Sequence, residues 1–487
     1  MHQLTALAIE AGRHLQSQQT GFIHFNYGAQ PGEPHDTIPF YENLLFALAL
    51  FKSRTLEQGT EAALLLDRLV SFQSASGNFP LYLHDFPNCQ DRFLAARSLL
   101  PLAILIKEYS KPIETLSSDG SLLEQVKQAA LNAARYSLDA FHRTEPQYHN
   151  AITLAVGAVM LGSLLQKSDI EESGKNILEK LRQYGPVTAW YIPKQMGEIL
   201  TALTWHYPDI STSPWRQLFE HAARFCHPRL RCYCGPAFCD FLDGAEPEAS
   251  LLDLFLVGDT IPTRISNAEM TCLRGIIVPS AMKLLPDIEK SLESEDIVEG
   301  LRAMTVITPN GAVQCIERPK AETIPNYRGH HPFRIVWGAE DGIHSIAAQC
   351  SYDVTATYRK EDDDTYSILF DLQHLPQDDE RENQTEVVFY ADRHEKLQIL
   401  VDDVKATCFN LDDKVLVENE TKAIEISFNV VDGDGEFSGH IMPGNRLSQK
   451  AAKGTNRFAA YDWMITLRTL RRSSNCRIEA KVTIKDK

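Results

Sequence analysis

Met304-Thr-Val-Ile-Thr-Pro-Asn-Gly-Ala-Val-Gln-Cys-Ile-Glu317 divides the chain into two kinds of sequence. Two runs rich in β-branched residues flank Asn310-Gly311, and Asn-Gly accepts the positive φ angles of a type I′ turn, so the stretch predicts a β-hairpin. On its C-terminal side strand-like runs follow in series: Phe333 to Trp337, Ile343 to Gln349, Asp353 to Tyr358, Thr365 to Asp371, Glu386 to Tyr390, Leu397 to Val401, Val404 to Phe409, Lys414 to Val417, Ala423 to Val430, Ala460 to Leu470 and Cys476 to Ile484. No long helical run separates them, which predicts antiparallel sheets. Glu361 to Asp364, Gln377 to Asn383 and Asp432 to Glu436 are acidic turns between strands.

On the N-terminal side the apolar period is near 3.6. Leu4, Leu7, Ala8, Ala11 and Leu15 open the series, and Tyr41 to Ser53, Leu56 to Gln73, Asp91 to Tyr109, Ser121 to His142, His149 to Gln166, Glu171 to Tyr184, Lys194 to His206, Pro214 to Cys226, Glu248 to Val257 and Asn267 to Leu285 continue it. Pro or Gly at many joints makes neighbours into helical hairpins. The expected architecture is an α/α toroid of helical hairpins over residues 1–295, followed by an antiparallel β-sandwich over residues 300–487.

A chain of 487 residues, 44% hydrophobic and 23% charged, has the size for two cores and the composition of a soluble globular protein. A net charge of -17 argues against a nucleic-acid partner, since phosphate binding needs clustered Lys and Arg. No apolar run approaches the roughly 18 residues of a membrane helix. The first ten residues lack the pattern of a secretory signal, and ten cysteines in a chain this long do not make a disulfide framework, so the expected compartment is the cytoplasm. Gly-x-Gly-x-x-Gly, P-loop, His-Glu-x-x-His and Gly-x-Ser-x-Gly are all missing, and no cofactor is expected.

Chemistry concentrates at the joints between helices. Gly21 to Pro39 carries Phe22, His24, Phe25, Tyr27 and His35, more rings than a solvent linker holds. Leu69 to Asn88 combines a helix end, a Gly77-Asn78 turn and an aromatic loop with Tyr82, His84 and Asp85. If Asp85 orients His84, the imidazole is a competent base; the alternative makes Asp85 or Asn88 a cap and Asp91-Arg92 a surface pair. Tyr148, His149 and Asn150 stand at a helix start, where the dipole and free N–H groups favour an anion, unless Asn150 merely caps the helix. Trp190 and Tyr191 offer aromatic faces to a sugar ring or pack in the core. Tyr327 to Arg334 is a loop with two histidines and two arginines. Cys226, Cys232, Cys234 and Cys239 have ligands enough for zinc but not the usual knuckle spacing, and buried free thiols are the expectation.

Helical hairpins followed by antiparallel strands resemble the layout of polysaccharide lyases of the heparinase, alginate-lyase and chondroitin-lyase kind, and the Phe72-Gln-x4-Gly-Asn-Phe-Pro80 turn is similar to the Gln-x-x-x-Gly-x-Phe/Trp turns of helical-toroid enzymes. The resemblance implies β-elimination on a uronate and an acidic oligo- or polysaccharide as partner. It gives Asn150 the neutralising role, His149 or His84 that of base, and Tyr148 or Tyr82 that of acid, with Asp85 behind His84. Arg92 and Arg334 would bind the polyanion, and Tyr82, Trp190 and Tyr191 the sugar rings. Two other readings stay open: an inverting glycoside hydrolase drawing its acids from Asp36, Glu42, Asp85, Asp91, Asp240 and Asp243, and a non-catalytic binding scaffold.

Overall fold

The computed structural model describes residues 3–27, 36–117, 120–144, 147–184, 187–209, 212–238, 249–256, 261–266, 268–279, 291–298, 300–319, 330–339, 342–351, 354–372, 381–393, 396–447, 461–472 and 475–487. The chain divides into a helical unit, Met1–Arg224 with Ala249–Leu285, and a sheet unit, Phe225–Glu248 with Pro286–Lys487.

The helical unit holds α1 (Gln3–Leu15), α2 (Phe40–Lys52), α3 (Leu56–Val70), α4 (Leu94–Leu116), α5 (Leu122–Arg143), α6 (Tyr148–Leu164), α7 (Ser168–Arg182), α8 (Pro193–His206), α9 (Arg216–Arg224), α10 (Leu251–Leu256), α11 (Thr263–Ser266) and α12 (Glu269–Arg274). Helices α2, α4, α6, α8 and α10 pack in succession, α3, α5 and α7 lie against them, and α12 returns to α1 and α2, so the array closes on itself. Sequence decides which helix lies where. The α6 run Ala151-Ile-Thr-Leu-Ala-Val-Gly-Ala-Val-Met160 is apolar nearly all round and almost wholly buried, whereas α7 buries only Ile170, Gly174, Ile177, Leu178 and Leu181 and turns its charges outward. The two helices meet closely: a Cβ at Gly174 would stand 2.7 Å from the Ala155 carbonyl oxygen and 2.9 Å from the Val159 nitrogen.

Helix α4 outruns its expected end at Tyr109. That residue leaves helical geometry (φ -126°, ψ 17°), and the helix resumes through Pro112 to Leu116, the proline having removed an N–H and kinked the axis. The apolar run from Asn267 breaks instead into α12 and a short 3-10 turn, Gly275–Ile277.

The sheet unit holds β1 (Leu292–Val298), β2 (Leu301–Thr308), β3 (Gly311–Ile316), β4 (Phe333–Ala339), β5 (Gly342–Cys350), β6 (Val354–Lys360), β7 (Thr365–Leu372), β8 (Arg381–Ala391), β9 (Gln398–Val401), β10 (Cys408–Phe409), β11 (Val415–Glu418), β12 (Lys422–Asp432), β13 (Gly435–Leu447), β14 (Tyr461–Arg472) and β15 (Cys476–Asp486). One sheet runs β1-β2-β3-β4-β5-β8-β14-β13-β10 and the other β6-β7-β15-β12-β11-β9. Every pairing is antiparallel, and the expected hairpin forms with a different turn: Thr308 pairs with Gly311, so Pro309-Asn310 makes the two-residue loop, Gly311 opens β3, and neither Asn310 nor Gly311 takes the positive φ of a type I′ turn. Strand alternation fills the core: Ile424, Ile426 and Phe428 of β12 and Ile478, Ala480 and Val482 of β15 are buried in one cluster with Phe333, Ile335, Phe389 and Ile465.

Within that core lies an ion pair. Arg472 donates to Glu386 from Nε (2.8 Å) and Nη2 (2.5 Å) and to the Leu372 carbonyl from Nη1 (3.0 Å), and the Thr469 hydroxyl also donates to Glu386.

Residues 225–238 pack with the strands although they precede the change of period. His227-Pro228 stops the helix, and Leu230, Cys232 and Cys234, at alternate positions, bury one face on Ile307, Ala312 and Val336. His227 Nε2 bonds the Thr308 carbonyl oxygen at 2.9 Å, while Nδ1 accepts from Leu230 N at 3.0 Å. Cys226, Cys232 and Cys234 are buried thiols outside any disulfide, with 3.7 Å between the sulfurs of Cys232 and Cys234. Cys239 lies outside the described residues, as do Asp240, Asp243, His35 and Tyr327. Among the described residues, no helix is long and apolar enough to cross a membrane.

Candidate active site

Helices α2, α4, α6 and α8 bring their N-terminal turns together. Tyr41 and Glu42 stand in the first turn of α2, Arg97 in that of α4, His149 in that of α6, and Glu198 in the second turn of α8; Arg274 ends α12. Glu42 is fully buried. It accepts from Arg274 Nη2 at 2.7 Å and Nε at 3.2 Å, and from the Tyr27 hydroxyl. His149 Nε2 lies 3.7 Å from a Glu198 carboxylate oxygen, and Arg97 pairs with Asp91.

These groups sense one another. Burial, then the Glu42 carboxylate, pushes the Tyr27 phenol well above its ordinary value, and burial, then Glu198, does the same for Tyr41. Burial works against the charge on Arg274, but Glu42 and Tyr27 outweigh it and hold its pKa above the ordinary value; Asp91 and Tyr27 do so for Arg97. Both tyrosines are therefore protonated and both arginines charged at neutral pH. The cap positions of α2, α6 and α8 are Pro39, Gln147 and Ile192, none of which makes a side-chain cap bond; Pro193 has no N–H and Phe40 N is taken by Leu81 O, so the starts of α2 and α8 offer chiefly the positive end of the helix dipole.

Two loops add a layer of rings. Tyr82 stacks on His84 (centroids 5.6 Å, planes 7° apart) and lies 5.7 Å from Tyr27. The Tyr82 hydroxyl accepts from Tyr27 N at 3.1 Å and donates to Asn26 at 3.3 Å. Backbone bonds from Phe40 N to Leu81 O (3.1 Å) and from Leu83 N to Ile38 O (2.8 Å) stitch this loop to the start of α2. Its approach is fixed by Gly77, at φ 98°, where a Cβ would meet the Asn132 carbonyl oxygen at 2.6 Å. Buried Asn78 then accepts from Ala95 N at 3.1 Å and caps α4.

The residues expected from sequence separate into two sets. Tyr82, His84 and Asp85 join Tyr27, with His84 Nε2 3.6 Å from Asp85; His149 joins through Glu198, and Asn150 is buried beside it in the first turn of α6, inside the helix rather than at its cap. Tyr148 turns the other way. Its hydroxyl reaches toward the Leu181 carbonyl of α7 at 3.5 Å, its ring meets Trp215 edge-on, and burial pushes its phenol up to about 12. Trp190 and Tyr191 are buried against His221. Arg92 is exposed, and Asp91 pairs not with it but with Arg97. Arg334 sits on β4 beside the Cys234 thiol, and His330 and His331 are buried against the Glu317 and Ala348 carbonyls. Arg97, Arg274 and Glu198 went unread in the sequence, although each is an isolated charge in an apolar helical run.

No family model matches the sequence, and no curated protein does. Solved structures that are similar include the Streptomyces coelicolor A3 chondroitin AC lyase in complex with chondroitin sulphate, with a TM-score of 0.49, 10% identity, and coverage of 99% of this chain and 80% of that one. A Paenibacillus xanthan lyase gives a TM-score of 0.43 at 8% identity, over 99% of this chain and 56% of that one. At such identity no residue role passes from them to this chain. Among the described residues, no three His, Cys, Asp or Glu side chains are grouped to hold a metal ion.

Proposed function

We propose that the chain is a carbohydrate-active lyase that cleaves a uronate-containing glycan by β-elimination where the inner helices begin. The observation that carries this reading is the convergence of a protonated tyrosine, a carboxylate-backed histidine and three helix starts without side-chain caps, beside a stack of rings.

Each part has a task in the reaction. The helix starts, with Asn150, neutralise the uronate carboxylate and so acidify the C5 proton. His149, oriented by Glu198, takes that proton; the electron pair forms the C4–C5 double bond as the C4–O bond breaks. Tyr27 gives its proton to the departing oxygen, and Arg274, 5.9 Å from its ring centre, steadies the phenolate left behind. Tyr82 and His84 offer stacked faces to the sugar.

The test is ultraviolet absorbance of the unsaturated uronate after incubation with chondroitin sulphate, xanthan and other acidic glycans. Tyr27→Phe is expected to lose about 10²-fold or more in kcat while folding normally. An acidic-glycan panel that yields no absorbing product rules the lyase out. New reducing ends without absorbance would assign the site to hydrolysis.

A further inference from the structure

A shallow, open groove lies in the helical unit between the end of α3 and one face of α5. Its volume is about 550 Å³. Ser121 at the cap of α5 and Gln125, Gln128 and Asn132 along it follow at intervals of four, three and four, so one helix face presents an uncharged hydrogen-bonding group at each turn, about 5.4 Å apart. Gln73 faces them from beyond α3. The amides are already aligned: Gln128 donates to Asn132 (2.8 Å), Asn132 donates to Gln73 (3.2 Å), and Gln73 donates to the carbonyls of Ala129 (2.8 Å) and Gly77 (2.9 Å).

We propose that this groove binds a neutral, hydroxyl-rich sugar. Gln73 spends both amide hydrogens on carbonyls and serves to hold Asn132, whereas Gln125, Gln128 and Asn132 each spend one and keep the other beside an accepting oxygen, as a pair of sugar hydroxyls requires, and their fixed orientation lowers the entropic cost of binding. Val70 and Ala129, with the methylene groups of the glutamines, give the lining an apolar surface beside its amides, which suits the C–H face of a sugar ring. Glu124 is the one charged side chain of the lining, so the groove has no cation with which to hold an anion. The site does not rest on the lyase reading. It does touch the same loop, because the Gln73 amide that lines it also holds the Gly77 carbonyl.

The experiment is saturation-transfer NMR on the full chain with cellotriose, maltotriose and di-N-acetylchitobiose. At least one of them is expected to bind, and Gln125→Arg and Gln128→Arg, both at exposed positions, are expected to weaken it roughly tenfold or more with unchanged circular dichroism. No transfer from any of the three, or binding that both variants leave unaltered, overturns the proposal. Elimination activity is measured separately with acidic glycans, so the failure of one reading does not imply failure of the other.

Discussion

Each unit buries a glutamate against an arginine, and the two pairs differ in what completes them. Glu386 and Arg472 are sealed in the sheet unit, at 1% and 0% side-chain exposure, and also bond to Thr469 and a backbone carbonyl. Glu42 is equally buried, but its arginine keeps 30% of its side chain open and its third partner is the phenol of Tyr27, itself 37% exposed. The first pair is shut away from solvent. The second ends in a proton donor that solvent can reach. The same ion pair serves as a core fastener in one place and as the rear support of a reactive group in the other.

The contrast can be broken by mutation. Arg472→Met should have the largest effect on stability, about 3 to 5 kcal/mol in denaturant unfolding, because it strands a buried carboxylate. Any elimination activity should survive it. Glu42→Gln keeps the shape and leaves Arg274 partly hydrated, so the cost should be about 1 to 3 kcal/mol while activity falls steeply. Equal stability losses in the two variants would erase the distinction drawn above. A smaller effect belongs to His227, whose pKa is lowered chiefly by burial. The unfolded chain then binds its proton more readily, so this contribution is complete above pH 6.5, the ordinary imidazole value, and is lost as pH falls toward the folded pKa. His227→Gln should flatten the acid limb of a stability-against-pH curve for the sheet unit. The smallest change is expected from Glu61→Ala, which removes the Arg13 pair at the surface: with 39% and 32% of the two side chains exposed, solvent screening leaves under about 1 kcal/mol.

The division into helices and strands was legible because the period of burial changes from 3.6 to 2 near Met304. Strand β13 was not, since its Gly435, Gly439, Pro443 and Gly444 read as turn residues and only pairing with β14 makes them extended. Strand β1 was missed because exposed Ile297 stands with Glu293 and Glu295 on the outer face of an edge strand while polar Ser294 and Asp296 stand with Val298 on the inner one, which hides its alternation. At the site, His149 and the Tyr82–His84 loop stood out as polar groups at helix joints. Arg97 and Glu198 did not, for a lone charge in Leu94-Ala-Ala-Arg-Ser-Leu or Met196-Gly-Glu-Ile-Leu has its meaning only when another helix start arrives opposite it. Arg274 needed more still: its partner Glu42 is 232 positions away.

That distance follows from the return of α12 to α1 and α2, which also brings Ile261 N to the Gln3 side chain. A linear array of hairpins can lengthen by a copy and finish in polar end-caps. A circular one cannot. An inserted or deleted hairpin would part α12 from α1 and strand apolar flanks such as Leu4, Ala8 and Ile9 in water. The number of staves in this cask is thereby set by its own hoop, and its evolution is left to act on the rim, where loops can be exchanged one at a time.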